Sequence, residues 1–180
     1  GVYIDHFMLV DFTGFKGVVE ALGGVEVCVN EPVDDPLSGL TLPAGKSTLI
    51  GEKALSFVRA RYSLGDGSDI GRISRQQDFL ASALRKATST QILTNPVRLY
   101  RVLDRATSSL TTDPGLGGLE KLQDLATSMS GISPSKVTFL TVPWTENEDH
   151  ATISWDRAKA DQIWQAMKDD TGWPPPPTVP

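Results

Sequence analysis

Apolar and polar positions along the chain alternate between two periods, and the changes of period mark its elements. Residues 2–12 (Val2-Tyr3-Ile4-Asp5-His6-Phe7-Met8-Leu9-Val10-Asp11-Phe12) are β-rich and mostly apolar, as a strand buried on both faces would be. Thr13 is the expected N-cap of a helix in which Phe15, Val18, Val19 and Leu22 recur at helical spacing, stopped by Gly23-Gly24. Residues 25–29 alternate as a strand, 32–36 carry two prolines that break regularity, and 39–45 read as a short strand entering a turn. Residues 51–58 predict a helix with Ala54, Leu55 and Val58 on one side, leading into Arg59-Ala60-Arg61-Tyr62. A Gly/Asp-rich loop then precedes a long helix over 71–87 with Ile73, Leu80 and Leu84 as its apolar stripe. Further helices are expected over 96–108 and 116–129, a strand over 136–142, a weaker strand over 151–155, and a helix capped by Asp156 and running to 168. Interleaved strands and helices favour a sheet with helices packed on its faces.

Composition narrows this only slightly. A chain of 180 residues suits one domain, here 1–170, followed by a Pro-rich tail over 171–180. Four consecutive prolines favour polyproline II, so the tail is a spacer or a peptide for a proline-binding module. No run approaches the roughly 18 apolar residues of a membrane helix. The first residues have neither an initiator Met nor a signal-peptide pattern, so a piece of a longer product is expected. Cys28 is the lone cysteine, either a small buried apolar side chain or a partner for a cysteine elsewhere.

Charge is more informative. The net charge of −5 argues against general nucleic-acid binding, which needs a basic surface. Between residues 51 and 86, however, seven basic side chains face four acidic ones, so that segment is +3 and the rest −8. One basic focus in an acidic chain suggests a local anionic ligand. If Arg59 and Arg61 are extended, their period-2 spacing puts both guanidinium groups on one face. Arg72, Arg75, Gln76 and Phe79 lie at i, i+3, i+4 and i+7, sharing a stripe beside the apolar face of the long helix. Guanidinium groups brought together repel unless an anion separates them, and their planar donors suit phosphate oxygens. Pairing with Asp66, Asp69 and Asp78 in a solvated network is the competing account. Asp69 is similarly open, a helix N-cap or a carboxylate facing the site.

The order of these segments resembles the LytR–CpsA–Psr family. The matching residues are Ile4-Asp5-His6, Val10-Asp11-Phe12 with Gly14-Phe15, Ala21-Leu22-Gly23-Gly24-Val25, and the Leu42, Ala44-Gly45, Leu49, Gly51 run. Ala54-Leu55 before Val58-Arg59-Ala60-Arg61 and the stretch 65–77 (Gly65-Asp66-Gly67-Ser68-Asp69-Ile70-Gly71-Arg72-Ile73-Ser74-Arg75-Gln76-Gln77) complete the match, the latter like actinobacterial members. The resemblance implies an α/β fold of three layers (α/β/α), a central mixed sheet flanked by helices, here incomplete at its N-terminus. Apolar residues of the long helix and of 96–129 would line a tunnel for a polyprenyl tail or serve as ordinary core.

It further implies a Mg²⁺-dependent phosphotransferase that moves a phosphoglycan from polyprenyl pyrophosphate to peptidoglycan. Such an enzyme works at the extracytoplasmic face of the membrane and is held there by an anchor upstream of Gly1. Arg59, Arg61, Arg72, Arg75 and Gln76 would contact the pyrophosphate, with Asp69 and Arg72 as catalytic residues. The metal ligands are expected upstream, leaving none in this chain, which alone would be an incomplete enzyme. A lipid-binding module, a pyrophosphatase and a transcriptional attenuator are the alternatives.

Overall fold

The computed structural model describes residues 2–60, 69–118, 120, 121, 124, 125, 128, 133, 136–149 and 151–171, the side chain of Asp69 excepted. The chain forms two compact units, one from His6 to Phe139 and the other from Gly1–Asp5 with Leu140–Pro180.

In the first unit, β1 (Met8–Val10) leads into α1 (Phe12–Ala21). The α1 N-cap is Asp11, whose Oδ1 accepts the Gly14 amide at 2.7 Å, and not Thr13. Asp11 has the extended backbone that a cap requires, and an ionised carboxylate suits the positive helix end. The strand expected over residues 2–12 shortens to three residues, all exposed. β1 pairs antiparallel with β6 (Leu110–Thr112), Leu9 opposite Thr111. At its start Asp113 accepts the Phe7 amide and His6 Nδ1, each at 3.1 Å, and the Gly115 amide at 2.7 Å. These bonds, His6 foremost, hold the Asp113 carboxyl down to about 2 from 3.8.

The α1–β2 turn needs a glycine. Gly24 has φ +94°, and a Cβ there would come within 2.6 Å of Thr48 Cγ2. It opens β2 (Val25–Val29), in which Val25, Val27 and Val29 point inward while Glu26 and Cys28 face out. Cys28 is therefore exposed, because its even position in the strand places it on the solvent face. β2 pairs antiparallel with β5 (Gly45–Leu49). β3 (Val33–Asp35) and β4 (Leu40–Leu42) form a hairpin where 32–36 had read as a break. Buried Asp35 accepts the Leu37 and Ser38 amides at 3.1 Å, closing the turn from inside.

This unit also holds α2 (Glu52–Arg59), α3 (Asp69–Ala87), α4 (Thr90–Leu93) and α5 (Pro96–Ser109). The core joins Val19, Leu22, the inward valines of β2, Leu40, Leu49 and Phe57. Phe79 of α3 completes it, 1% exposed, with ring centroids 5.5 Å from Phe15 and 6.2 Å from Phe57. The stripe of Arg72, Arg75, Gln76 and Phe79, expected beside the apolar face, thus turns inward with Phe79, while Leu80, expected in the apolar stripe, is 52% exposed; Ile73 and Leu84 stay half-buried. An aromatic ring buries more area than Leu, so packing Phe79 sets the rotation of the helix.

Residues 137–142 are not a strand; the half-buried/exposed alternation is present, but no described segment pairs with them, and a ladder needs a partner. Of the helix expected over 116–129, residues 116–118 lie in a turn and bend and not in a helix, while 120, 121, 124, 125 and 128 are described and helical. The second unit pairs β7 (Trp144–Glu146) with β8 (Ile153–Trp155) and ends in α6 (Arg157–Lys168), capped by Asp156 as expected. Trp155 and Trp164 pack 6.0 Å apart. The tail beyond 171 lies outside the described residues. The α/β class expected is what is found, its described strands paired two by two in antiparallel ladders.

Candidate functional site

The site is built where α2 ends against the first turns of α3. The α2 helix continues through Arg59, because Ala60 still donates its amide to Ser56 O at 2.8 Å, and the chain turns extended only at Ala60. Arg59 is therefore the last helical residue, and period-2 pairing with Arg61 does not apply. A cation in the last turn suits the negative helix end. The Arg59 guanidinium is exposed and lies 5.1 Å from the centroid of the Phe12 ring. Phe12, at the start of α1, belongs to the family-like Val10-Asp11-Phe12 run but is not among the expected site residues; 47 residues of separation from Arg59 leave no spacing signal. Arg61 lies outside the described residues.

From α3, Arg75 Nη2 donates to Ala60 O at 2.6 Å and Gln76 Nε2 donates to Val58 O at 3.0 Å. Both acceptors are carbonyls at the end of α2, which helix geometry leaves without intrahelical partners. Two residues predicted to grip an anion thus bind backbone and clamp the segment that carries Arg59. Arg72 sits half-buried one turn before Gln76, on the same inward stripe, and Asp69 opens the helix. Arg72 thus belongs to the first turn of α3, at the helix's positive end, and Arg59 belongs to the segment that α3 holds. Asp78 is exposed and forms no ion pair with a described residue, so it does not neutralise these arginines. Asp66 and the Asp69 side chain are outside the description.

Beside this region an open cleft of about 980 Å³ runs between β2 and α3, lined by Val27, Val29, Ile70, Ser74, Arg75 and Phe79 among others. Its lining comes from β2, the segment after it, α2 and α3, and includes no residue of α5. Among the described residues no group of three or more His, Cys, Asp or Glu side chains could hold a metal ion. These residues do not fit a Mg²⁺ site.

The LytR_cpsA_psr family matches residues 1–169. The cell wall biosynthesis protein LcpA of Corynebacterium glutamicum is 42% identical over 145 residues, covering 81% of this chain and 27% of that protein. The polyisoprenyl-teichoic acid–peptidoglycan teichoic acid transferase TagU of Enterococcus faecalis is 30% identical, covering 66% and 37%. Among solved structures, the LytR-Csp2A-Psr enzyme from Actinomyces oris superposes with a TM-score of 0.71 at 29% identity, covering 89% of this chain and 63% of that one. The chain thus spans well under half the length of these two curated relatives.

Proposed function

Because the chain belongs to the LytR–CpsA–Psr family and resembles its actinobacterial members, we propose that it forms part of a cell-envelope glycopolymer transferase. The donor in this reading is a phosphoglycan on polyprenyl pyrophosphate and the acceptor is a peptidoglycan hydroxyl, met at the extracytoplasmic face of the membrane. The name of the TagU relative, a transferase from a polyisoprenyl-linked polymer to peptidoglycan, supports it. Within the molecule, one observation carries the reading. The α3 stripe that bears Arg72, Arg75 and Gln76 faces inward and is pinned to the end of α2, so Arg59 and Arg72 are positioned by packed helices.

The acceptor oxygen forms a bond to the phosphorus on the sugar side. The bridging P–O bond to the lipid phosphate breaks, and polyprenyl monophosphate leaves with that electron pair. Arg59 and Arg72, with Arg61, would stabilise the charge on the departing phosphate, and the start of α3 adds backbone donors. Arg75 and Gln76 act mainly by holding this frame. Asp69 takes the acceptor proton in this scheme. Mg²⁺ belongs to the proposal as well, held by carboxylates other than those described, as does an upstream membrane anchor.

The test incubates the complete domain with a lipid-linked glycan, Mg²⁺ and peptidoglycan. Covalent attachment of the glycan is the expected result. Released free phosphoglycan would identify a hydrolase instead, and unchanged bound lipid would identify a binding module.

A further inference from the structure

We propose that the outer face of α5 docks onto an anionic phospholipid surface. Not one residue of this 14-residue helix is buried, although it packs along α1 closely enough that a Cβ on Gly14 would meet Ser109 Cβ at 2.5 Å. Its exposed surface carries Arg98 and Arg101, with Arg105 on the flank toward α1 (its Cδ is 3.8 Å from where a Gly17 Cβ would stand) and one carboxylate, Asp104, beside Val97, Tyr100 and Leu103 at 59%, 68% and 37% exposure. Leu93, at the end of α4, is 53% exposed. No arginine of the three is ion-paired with a described residue.

Helix stability does not account for their placement. Arg98 is in the first turn, where the helix end is positive, and the last turn has no basic residue. Nor does the charge of the surroundings, since residues 6–139 hold fourteen basic and fourteen acidic side chains. Guanidinium groups beside an aromatic and two aliphatic side chains on one exposed helix match the boundary between headgroups and acyl chains. There the cations meet lipid phosphate and the apolar groups leave water. A soluble polyanion would satisfy the arginines but leave Val97, Tyr100 and Leu103 wet. No helix among the described residues is long and apolar enough to cross a membrane, so α5 would lie along the surface.

Vesicle flotation with the 180-residue chain tests this, comparing phosphatidylcholine with phosphatidylcholine–phosphatidylglycerol mixtures. Partitioning is expected only with phosphatidylglycerol and should weaken as salt is raised. Arg98→Gln, Arg101→Gln and Arg105→Gln should each weaken it about fivefold, equivalent to roughly 1 kcal/mol. Tyr100→Ser with Leu103→Ser should weaken it as well, with circular dichroism and Tm unchanged in every variant. Arg72→Ala should float like the parent chain, so this proposal and the diphosphate reading fail separately. Equal flotation of all α5 variants, or binding to phosphatidylcholine alone, would overturn it. So would soluble polyphosphate binding as tightly as the vesicles and indifferent to Tyr100 and Leu103.

Discussion

At the scale of single residues, two members of the arginine-rich stretch have backbone partners that tie α3 to α2. Arg75 and Gln76 donate to Ala60 O and Val58 O, so Arg75→Ala should cost about 2 kcal/mol and Gln76→Ala about 1 kcal/mol. Denaturant midpoints would read both. Arg72→Ala is expected to abolish binding of a polyprenyl diphosphate, measured by calorimetry on the complete domain. Asp113 gives a pH dependence of definite sign. Its folded carboxyl titrates at about 2 against an ordinary 3.8, so the folded state binds fewer protons. Its stabilising contribution is complete above about pH 4 and is lost as pH falls through about 2. Asp113→Asn should therefore flatten the acid limb of the unfolding profile between those values. Spacing made Arg72, Arg75 and Gln76 legible as one stripe. It did not reveal that two of the three bond to backbone, because those acceptors lie 15 and 18 residues away.

At the scale of elements, a segment is legible in the sequence where it buries one face and illegible where burial and pairing part company. β2 alternates cleanly because its valines go inward and its polar positions outward. β5, Gly45-Lys46-Ser47-Thr48-Leu49, gives no period-2 signal since Leu49 is its only buried residue; pairing with β2 makes it a strand. Residues 137–142 show the reverse, an apolar alternation with no strand beside it among the described residues. In α3 the length was legible and the rotation was not, because Leu80 and Phe79 compete for the same interior. Phe79→Ala is expected to destabilise by about 3–5 kcal/mol, whereas Leu80→Ala should change stability by less than about 1 kcal/mol, read from thermal melts. Comparable losses for the two would place the helix in the orientation the sequence suggested.

At the scale of the whole molecule, the two units differ in how much interior they possess. The connected core, from Val19 to Phe79, lies entirely within residues 6–139. The other unit buries Ala160 and Ile163 and little else among its described residues. Local opening should be easier where fewer apolar contacts must be broken. Amides of α6 and the β7–β8 hairpin are thus expected to exchange with deuterium faster than those of α1 and β2, resolvable by mass spectrometry of peptic fragments. Charge divides along the same line. Residues 1–5 and 140–180 hold eight acidic and three basic side chains, so the entire −5 resides there. An acidic excess outside residues 51–86 is legible in the sequence; that it collects in this unit is not, because residues 1–5 are joined to 140–180 only by the fold.

All four tryptophans, Trp144, Trp155, Trp164 and Trp173, fall in that smaller unit. Indole emission is consequently blind to the larger one. A denaturation curve followed by fluorescence will chart the smaller unit alone, while far-UV ellipticity, dominated by α1, α3 and α5, will follow the larger. The two optical midpoints should diverge even though every molecule in the cuvette is the same.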